Sequence, residues 1–176
     1  MFLNKTKLFI VISVCFLFFF LTYYDVKSNE NYELSGFAIV VDGDTIKING
    51  KKIRFSGIDA PETYYNGKEQ ICIKEEKKIA CGKLSKNFLI NKINNQKVVC
   101  RIEAKTDKYS RKLGECFVND KSLSRILVKN GYAFDYPRYS KKKFSNEQKY
   151  AQNNNLGLWR MKFEFPWDFR KKNRNL

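Results

Sequence analysis

Acidic residues are scarce in this chain, and four of them are crowded together. Asp and Glu number 18 against 34 Lys and Arg, a net charge of +16. Yet Asp42, Asp44, Asp59 and Glu62 fall within 21 residues. Two carboxylates and a neighbouring main-chain carbonyl are the hard oxygen donors that Ca2+ takes. A third carboxylate is then left to act on a water as a base. Asp-Gly pairs are also common in hairpins, so the same acids read equally as ordinary turn residues. Arg54 and Arg111 supply the complementary charge. A guanidinium presents a fork of donors to phosphate oxygens and keeps its charge when desolvated. Hydrolysis of a phosphate ester builds negative charge that a cation and two arginines would stabilise. Among 34 basic residues, two arginines signify little by themselves. The chain has no histidine, which excludes His-based triads, His general bases and His-ligated zinc. The basic excess favours polyanionic partners, either nucleic acid or an anionic membrane surface.

These residues must be positioned by a small set of elements. At 176 residues and 43% apolar content the chain suits one ordinary domain with a real core. Three β-type runs come first, Phe37–Val41, Thr45–Ile48 and Lys51–Ser56, joined by Asp42-Gly43 and Asn49-Gly50. Both dipeptides are strong signals for type I′ hairpin turns. The chain therefore opens as an antiparallel meander that brings Asp44 and Asp59 to one end of a sheet. Strict alternation from the second turn would place Arg54 on the face opposite Asp44. Residues 57–82 read as a long irregular segment. Leu84, Phe88, Leu89 and Ile93 predict a helix near 83–94. Val98–Ala104 and Lys112–Val118 read as two more strands, joined by a polar loop. Leu123, Ile126 and Leu127 mark a second helix closed by Gly131. Ser145 with Gln148 reads as a capping box opening a third, which Gly157 ends. The last residues are basic. The expected class is α+β and mainly β: a five-stranded barrel of the oligonucleotide-binding type with about three helices.

Residues 1–28 differ from the rest. Lys5 and Lys7 precede an uncharged run from Leu8 to Leu21, the pattern of an export signal. Val26-Lys27-Ser28 offers a cleavage site, and an uncleaved anchor through residues 8–21 is the alternative. Either way the domain is expected outside the cytoplasm, periplasmic or secreted. Beyond this segment lie Cys72, Cys81, Cys100 and Cys116, an even number that suits disulfides in an exported chain. Cys72–Cys81 with Cys100–Cys116 is the favoured pairing, because Cys100 and Cys116 can face each other across a hairpin. Zinc is the rival reading, but the spacings are not Cys-x-x-Cys.

Three stretches in order carry a family resemblance. Val41-Asp42-Gly43-Asp44-Thr45, Arg54 through Glu62 (RFSGIDAPE), and Asp107-Lys108-Tyr109-Ser110-Arg111 resemble the signature stretches of the thermonuclease, or staphylococcal nuclease-like, family. The similarity continues through Leu127–Ala133 and Leu156–Trp159 and covers about residues 35–160. The resemblance implies an oligonucleotide-binding barrel and Ca2+-dependent endonucleolytic hydrolysis of DNA and RNA. It implies Asp44, Asp59 and the carbonyl of Ala60 as Ca2+ ligands, and Glu62 as the residue that activates the attacking water. Arg54 and Arg111 would hold the scissile phosphate. Lys108 and Tyr109 match positions that contact a terminal phosphate, and Tyr136 or Tyr139 would stack on a base. Ala60 and Ser110 depart from the best-known member, which has threonine and glycine there.

The resulting division is a signal peptide or anchor over 1–28, a nuclease-like domain over 33–165 and a basic tail over 166–176. A monomer is expected. The rival function is a non-catalytic nucleic-acid-binding barrel, and a third is a membrane-tethered protein whose basic tail engages anionic lipid. The presence of Asp44, Asp59, Glu62, Arg54 and Arg111 together favours the enzyme.

Overall fold

The structure is a computed structural model that describes residues 32–174, so the expected signal or anchor at 1–28 lies outside the described residues. Strands β1 (Tyr32–Asp42), β2 (Thr45–Ile48) and β3 (Lys51–Phe55) pair antiparallel in succession, forming the expected meander. Asn49 and Gly50 both take positive φ, 47° and 79°, as a type I′ turn demands. The Asp42-Gly43 corner differs from its expectation, because Gly43 does not adopt a positive φ. Glycine serves close packing there instead. A Cβ at Gly43 would lie 2.7 Å from the Cβ of Ser85 and 2.8 Å from that of Ala60. The register of β1 shifts between Val40 and Asp42, and Asp44 falls in the turn ahead of β2. Asp44 is thereby released from strand alternation, so it and Arg54 can meet.

The segment expected to be irregular holds three short strands. β4 (Ile58–Asp59) is followed by a hairpin of β5 (Ile71–Lys74) and β6 (Lys77–Ala80), and Cys72–Cys81 clasps it. Helix α1 (Cys81–Ile93) follows at once. β7 (Lys97–Thr106) and β8 (Lys112–Val118) pair antiparallel with Cys100 opposite Cys116, and these two are disulfide-bonded. β8 also runs parallel to β3, placing Leu113 beside Arg54. That pairing closes β1, β2, β3, β7 and β8 into a five-stranded barrel.

The remainder is β9 (Lys121–Ser122), α2 (Leu123–Lys129), β10 (Phe134–Asp135), α3 (Pro137–Ser140), α4 (Ser145–Asn153), a 3-10 turn (Gly157–Arg160) and α5 (Pro166–Lys172). The barrel core takes Ile46, Ile48, Ile53 and Phe55 from the meander and Val98 and Ile102 from β7. Leu89 of α1 and Leu127 of α2 cover it. Burial of such side chains contributes roughly 1.5–3 kcal/mol each.

Five α-helices are present among the described residues, against about three expected. The additions are α3 and α5. The stretch expected as a basic tail contains α5, with Phe169 and Asn173 buried. Its pattern suits a short helix: Pro166 at the start, Asp168 in the first turn, and Arg170, Lys171 and Lys172 in the last. A second apolar cluster explains why it docks. Cys72, Cys81, Phe134 and Leu158 pack against Trp159, Met161, Phe163, Phe165 and Trp167. The capping box at Ser145 does not form. Phe144 is the N-cap, and the Gln148 side chain accepts from the Asp135 backbone N–H at 3.0 Å. Ser122 caps α2 instead, accepting from the N–H of Arg125 at 3.3 Å. Among the described residues no helix is long and apolar enough to cross a membrane.

The Cys100–Cys116 link closes a loop spanning a sequence separation of 16. Chain entropy assigns such a closure about 3 kcal/mol. The double variant Cys100→Ala/Cys116→Ala should lose stability of that order in urea unfolding, and non-reducing peptide mapping should recover both links.

Candidate active site

The acids converge where the meander turn, β4 and α5 meet. Asp44 and Asp59 are buried, and one guanidinium spans them: Arg54 Nη1 donates to Asp44 Oδ1 at 2.8 Å, and Nη2 to Asp59 Oδ1 at 2.5 Å. Thr45 Oγ1 also donates to Asp44 Oδ1, and the N–H of Ala60 donates to Asp44 Oδ2 at 3.0 Å. β4 is held from the other side by β10, with Phe134 opposite Asp59. Asp42 organises the neighbouring turn. Its Oδ1 accepts from the N–H of Gly43 at 2.9 Å and from Thr63 Oγ1 at 2.6 Å.

Glu62 is placed through its backbone. The Glu62 N–H donates to Gln70 Oε1 at 2.9 Å, while Gln70 Nε2 donates to the carbonyl of Glu164 at 2.7 Å. The start of α1 packs hard against this turn. A Cβ on Gly82 would lie 2.2 Å from the Glu62 carbonyl oxygen, so only glycine fits.

A second guanidinium enters from α5. Arg170 forks onto Asp59, with Nη2 to Oδ2 at 2.6 Å and Nη1 to Oδ1 at 3.1 Å, and its Nη1 also reaches Glu62 Oε1 at 2.5 Å. Burial and then the Asp44 charge push the Glu62 carboxyl up to about 7, against the pull of Arg170. Burial likewise raises Asp59, with Arg170 and Arg54 opposing. Burial and the nearby Asp44 raise Asp42.

Among the described residues no three His, Cys, Asp or Glu side chains close into a ready-made metal cage. The donors that do converge are hard oxygens held at the reach of one guanidinium, which fits a hard dication completed by water and substrate oxygens. Asp44, Asp59 and the carbonyl of Ala60 would hold it.

Arg111 belongs to a neighbouring cluster. Its Nε and Nη2 donate to Asp107 Oδ2 at 2.7 and 2.6 Å, and its bonds go to Asp107 rather than to Asp44, Asp59 or Glu62. Asp107 also accepts from the backbone N–H groups of Tyr109 and Arg111, both at 2.9 Å, which fixes the loop between β7 and β8. Burial works to raise the Asp107 carboxyl, but the bonds from Arg111 outweigh it and hold the group low. Leu113 pairs with Arg54, and Arg111 stands just ahead of β8, at the end of the loop that Asp107 fixes. Ser110 takes φ 58°, the left-handed conformation that glycine favours, so the loop keeps its tight bend without glycine. Lys108 Nζ lies 4.8 Å from the exposed Tyr109 ring centroid.

Tyr136 sits next to β4, with its N–H donating to the Gly57 carbonyl at 2.9 Å. One face of its ring is covered by Trp167, 5.0 Å away and 10° from parallel, whereas Tyr139 is exposed.

Sequence reasoning missed Arg170, Gln70 and the organising role of Asp107. Asp107 opens the Asp107–Arg111 stretch and gave a local signal. Arg170 reaches Asp59 and Glu62 across more than a hundred residues of sequence, and Gln70, eight residues from Glu62, is fixed by a bond to the remote Glu164, so only the fold brings them in.

Residues 52–161 match the family described as staphylococcal nuclease homologue, a stretch that begins after Asp44 and stops before Arg170. Over 127 residues the chain is 34% identical to the succinoglycan biosynthesis protein ExoI of Rhizobium meliloti, covering 71% of this chain and 64% of that protein. It is 33% identical to endonuclease YhcR of Bacillus subtilis over 154 residues, 76% of this chain and 12% of that one. It is 31% identical to staphylococcal-like nuclease CAN1 of Arabidopsis thaliana over 130 residues, 70% and 34% of the two. The chain thus spans less than two thirds of the length of each of these relatives.

The Glu62 carboxyl binds its proton more tightly in the folded chain than when unfolded. The unfolded state therefore holds fewer protons between pH 4.5 and about 7, and stability must fall as pH rises through that window. In EGTA, the wild type should lose up to about 3 kcal/mol relative to Glu62→Gln between pH 5 and pH 8, read from paired urea titrations. Parallel pH profiles would show that Glu62 ionises normally.

Proposed function

The chain belongs to the staphylococcal nuclease homologue family, and on that premise we propose that it is a Ca2+-dependent endonuclease hydrolysing phosphodiester bonds in DNA and RNA. The observation that carries the reading is the convergence of Asp44 from the meander turn, Arg54 from β3, Asp59 from β4 and Glu62 from the loop beyond it, the last joined to Asp59 through Arg170. A Ca2+ held by Asp44, Asp59 and Ala60 would supply Lewis-acid stabilisation of charge on the phosphate.

The chain's own groups supply the rest. Glu62 sits near pH 7, where a base can both hold and release a proton, and its carboxylate would take the proton of the attacking water. Gln70 and the close contact at Gly82 keep the backbone that carries that carboxylate in place. Arg54 provides fixed positive charge between the acids. Asp107 occupies the Nε and Nη2 edge of Arg111, which leaves the Nη1 donors to meet a phosphate oxygen. Lys108 and Tyr109 would contact a terminal phosphate, and Tyr136 with the more exposed Tyr139 would meet a base. The site is assembled within one chain, which supports action as a monomer. Two disulfides suit an oxidising compartment, so we assign the domain to the exported side, with residues 8–21 either removed or serving as a tether.

Purified protein should cleave DNA and RNA in Ca2+ and stop in EGTA. Glu62→Gln should lower kcat by ~10²-fold or more while oligonucleotide affinity stays within a few-fold. Cleavage by that variant at the wild-type rate would remove Glu62 from the role of base.

Arg111→Lys keeps the charge but loses the planar fork. It should depress kcat far more than it weakens binding, as expected of a contact made mainly in the transition state. A loss of affinity alone would assign Arg111 to the general basic surface.

A further inference from the structure

Among the described residues, the Arg170 side chain bonds carboxylates only. Its three bonds go to both oxygens of Asp59 and to Glu62, and none reaches a main-chain carbonyl. A carboxylate offers about four acceptor positions. At Asp59, Arg54 takes one and Arg170 takes two, on the oxygens that a dication would need. We propose that Arg170 is a built-in counter-cation of the active site, which a divalent cation must displace from Asp59 and Glu62. The inference rests on the metal-dependent reading above.

The charge balance explains why such a group is present. Asp42, Asp44, Asp59 and Glu62 crowd one partly desolvated place, and Arg54 alone leaves them strongly anionic. Carboxylates buried together without compensation are costly. Arg170 neutralises Glu62, which Arg54 does not bond, and adds a second positive charge at Asp59.

Arg170 is also the guanidinium built to leave. Arg54 is fixed in β3, joins Asp44 to Asp59 and leans on the Ile58 carbonyl. Arg170 stands in the last turn of α5, and its withdrawal strands no backbone group. The helix itself does not depend on the arginine. Phe169 is buried beneath it, Trp167 stacks on Tyr136, and Asn66 Nδ2 donates to the carbonyls of Asn173 and Arg174 at 3.0 and 3.3 Å. Gln70 ties Glu164 to the backbone of Glu62. The C-terminal segment can thus stay docked while one side chain swings off the acids. Occupancy by Arg170 lowers the apparent affinity for the cation in proportion to the fraction of time the acids are taken.

The experiment is calorimetric titration of the full-length chain with CaCl2, comparing wild type, Arg170→Gln and Arg170→Lys, with melting temperatures in EGTA and in Ca2+. Arg170→Gln should bind Ca2+ more tightly, by about tenfold if Arg170 occupies the acids nine-tenths of the time. Arg170→Lys keeps the charge but not the fork and should fall between. In EGTA the glutamine variant should melt below wild type, and Ca2+ should raise its melting temperature by more. Should Arg170→Gln fail to fold, the lysine variant decides, and its affinity must still exceed that of wild type. Equal or weaker Ca2+ binding by a folded variant overturns the competition alone. Absence of Ca2+ binding in wild type and variants alike overturns the metal-dependent reading, and this inference with it.

Discussion

Arg54 held between Asp44 and Asp59 is the contact on which the site depends. Asp44 comes from the first turn of the meander, Arg54 from β3 and Asp59 from the short β4. No local preference would bring two buried aspartates together, since like charges in a desolvated place repel. One planar guanidinium resolves this by giving each a donor of its own, Nη1 to Asp44 and Nη2 to Asp59. Breaking a buried pair of this kind typically costs 3–5 kcal/mol, because a charge is left uncompensated. The bond thus fixes the distance between the acids and makes their arrangement part of the fold.

The turn that carries Asp44 can reach Arg54 only because the barrel is irregular there. The shift in β1 and the position of Asp44 ahead of β2 free it from strand alternation. Gly43 then allows the turn to lie against Ala60 and Ser85, which brings β4 and α1 into contact with it. Gly82 does the same for Glu62. Two close approaches, each made where a side chain would collide, therefore set where the carboxylates stand.

The second apolar cluster serves the chemistry from a distance. The Cys72–Cys81 hairpin and the rings of Phe134, Phe163, Phe165 and Trp167 form a lobe beside the barrel. That lobe holds α5, and α5 delivers Arg170. Its stacked rings, Phe165 on Trp167 at 4.6 Å and Trp167 on Tyr136 at 5.0 Å, also decide how much of Tyr136 remains open to a ligand. Tyr139 stands edge-on to the same ring at 4.9 Å, so Tyr136 is held by both neighbours.

The sequence by itself determined the barrel and most of the residues at its site. Hairpin turn chemistry at Asn49-Gly50, apolar alternation and helical spacing are local, so the meander, the β7–β8 pair and helices α1, α2 and α4 were legible. The cysteine pairing followed from strands that had to face each other. Asp44, Asp59, Glu62 and Arg54 were legible because charge is conspicuous when acids are scarce. Tertiary structure decided the rest, where the partners are remote. Gln148 satisfied a distant backbone N–H rather than a local cap, since a buried donor outweighs a helix end that water can solvate. Gly43 proved to be a packing residue rather than a left-handed one. The basic C-terminus became a helix because its aromatic residues found a second core, and a guanidinium 111 residues from Asp59 became its partner. Local propensity cannot encode that pairing, for it exists only once the two cores have formed and the acids need a cation.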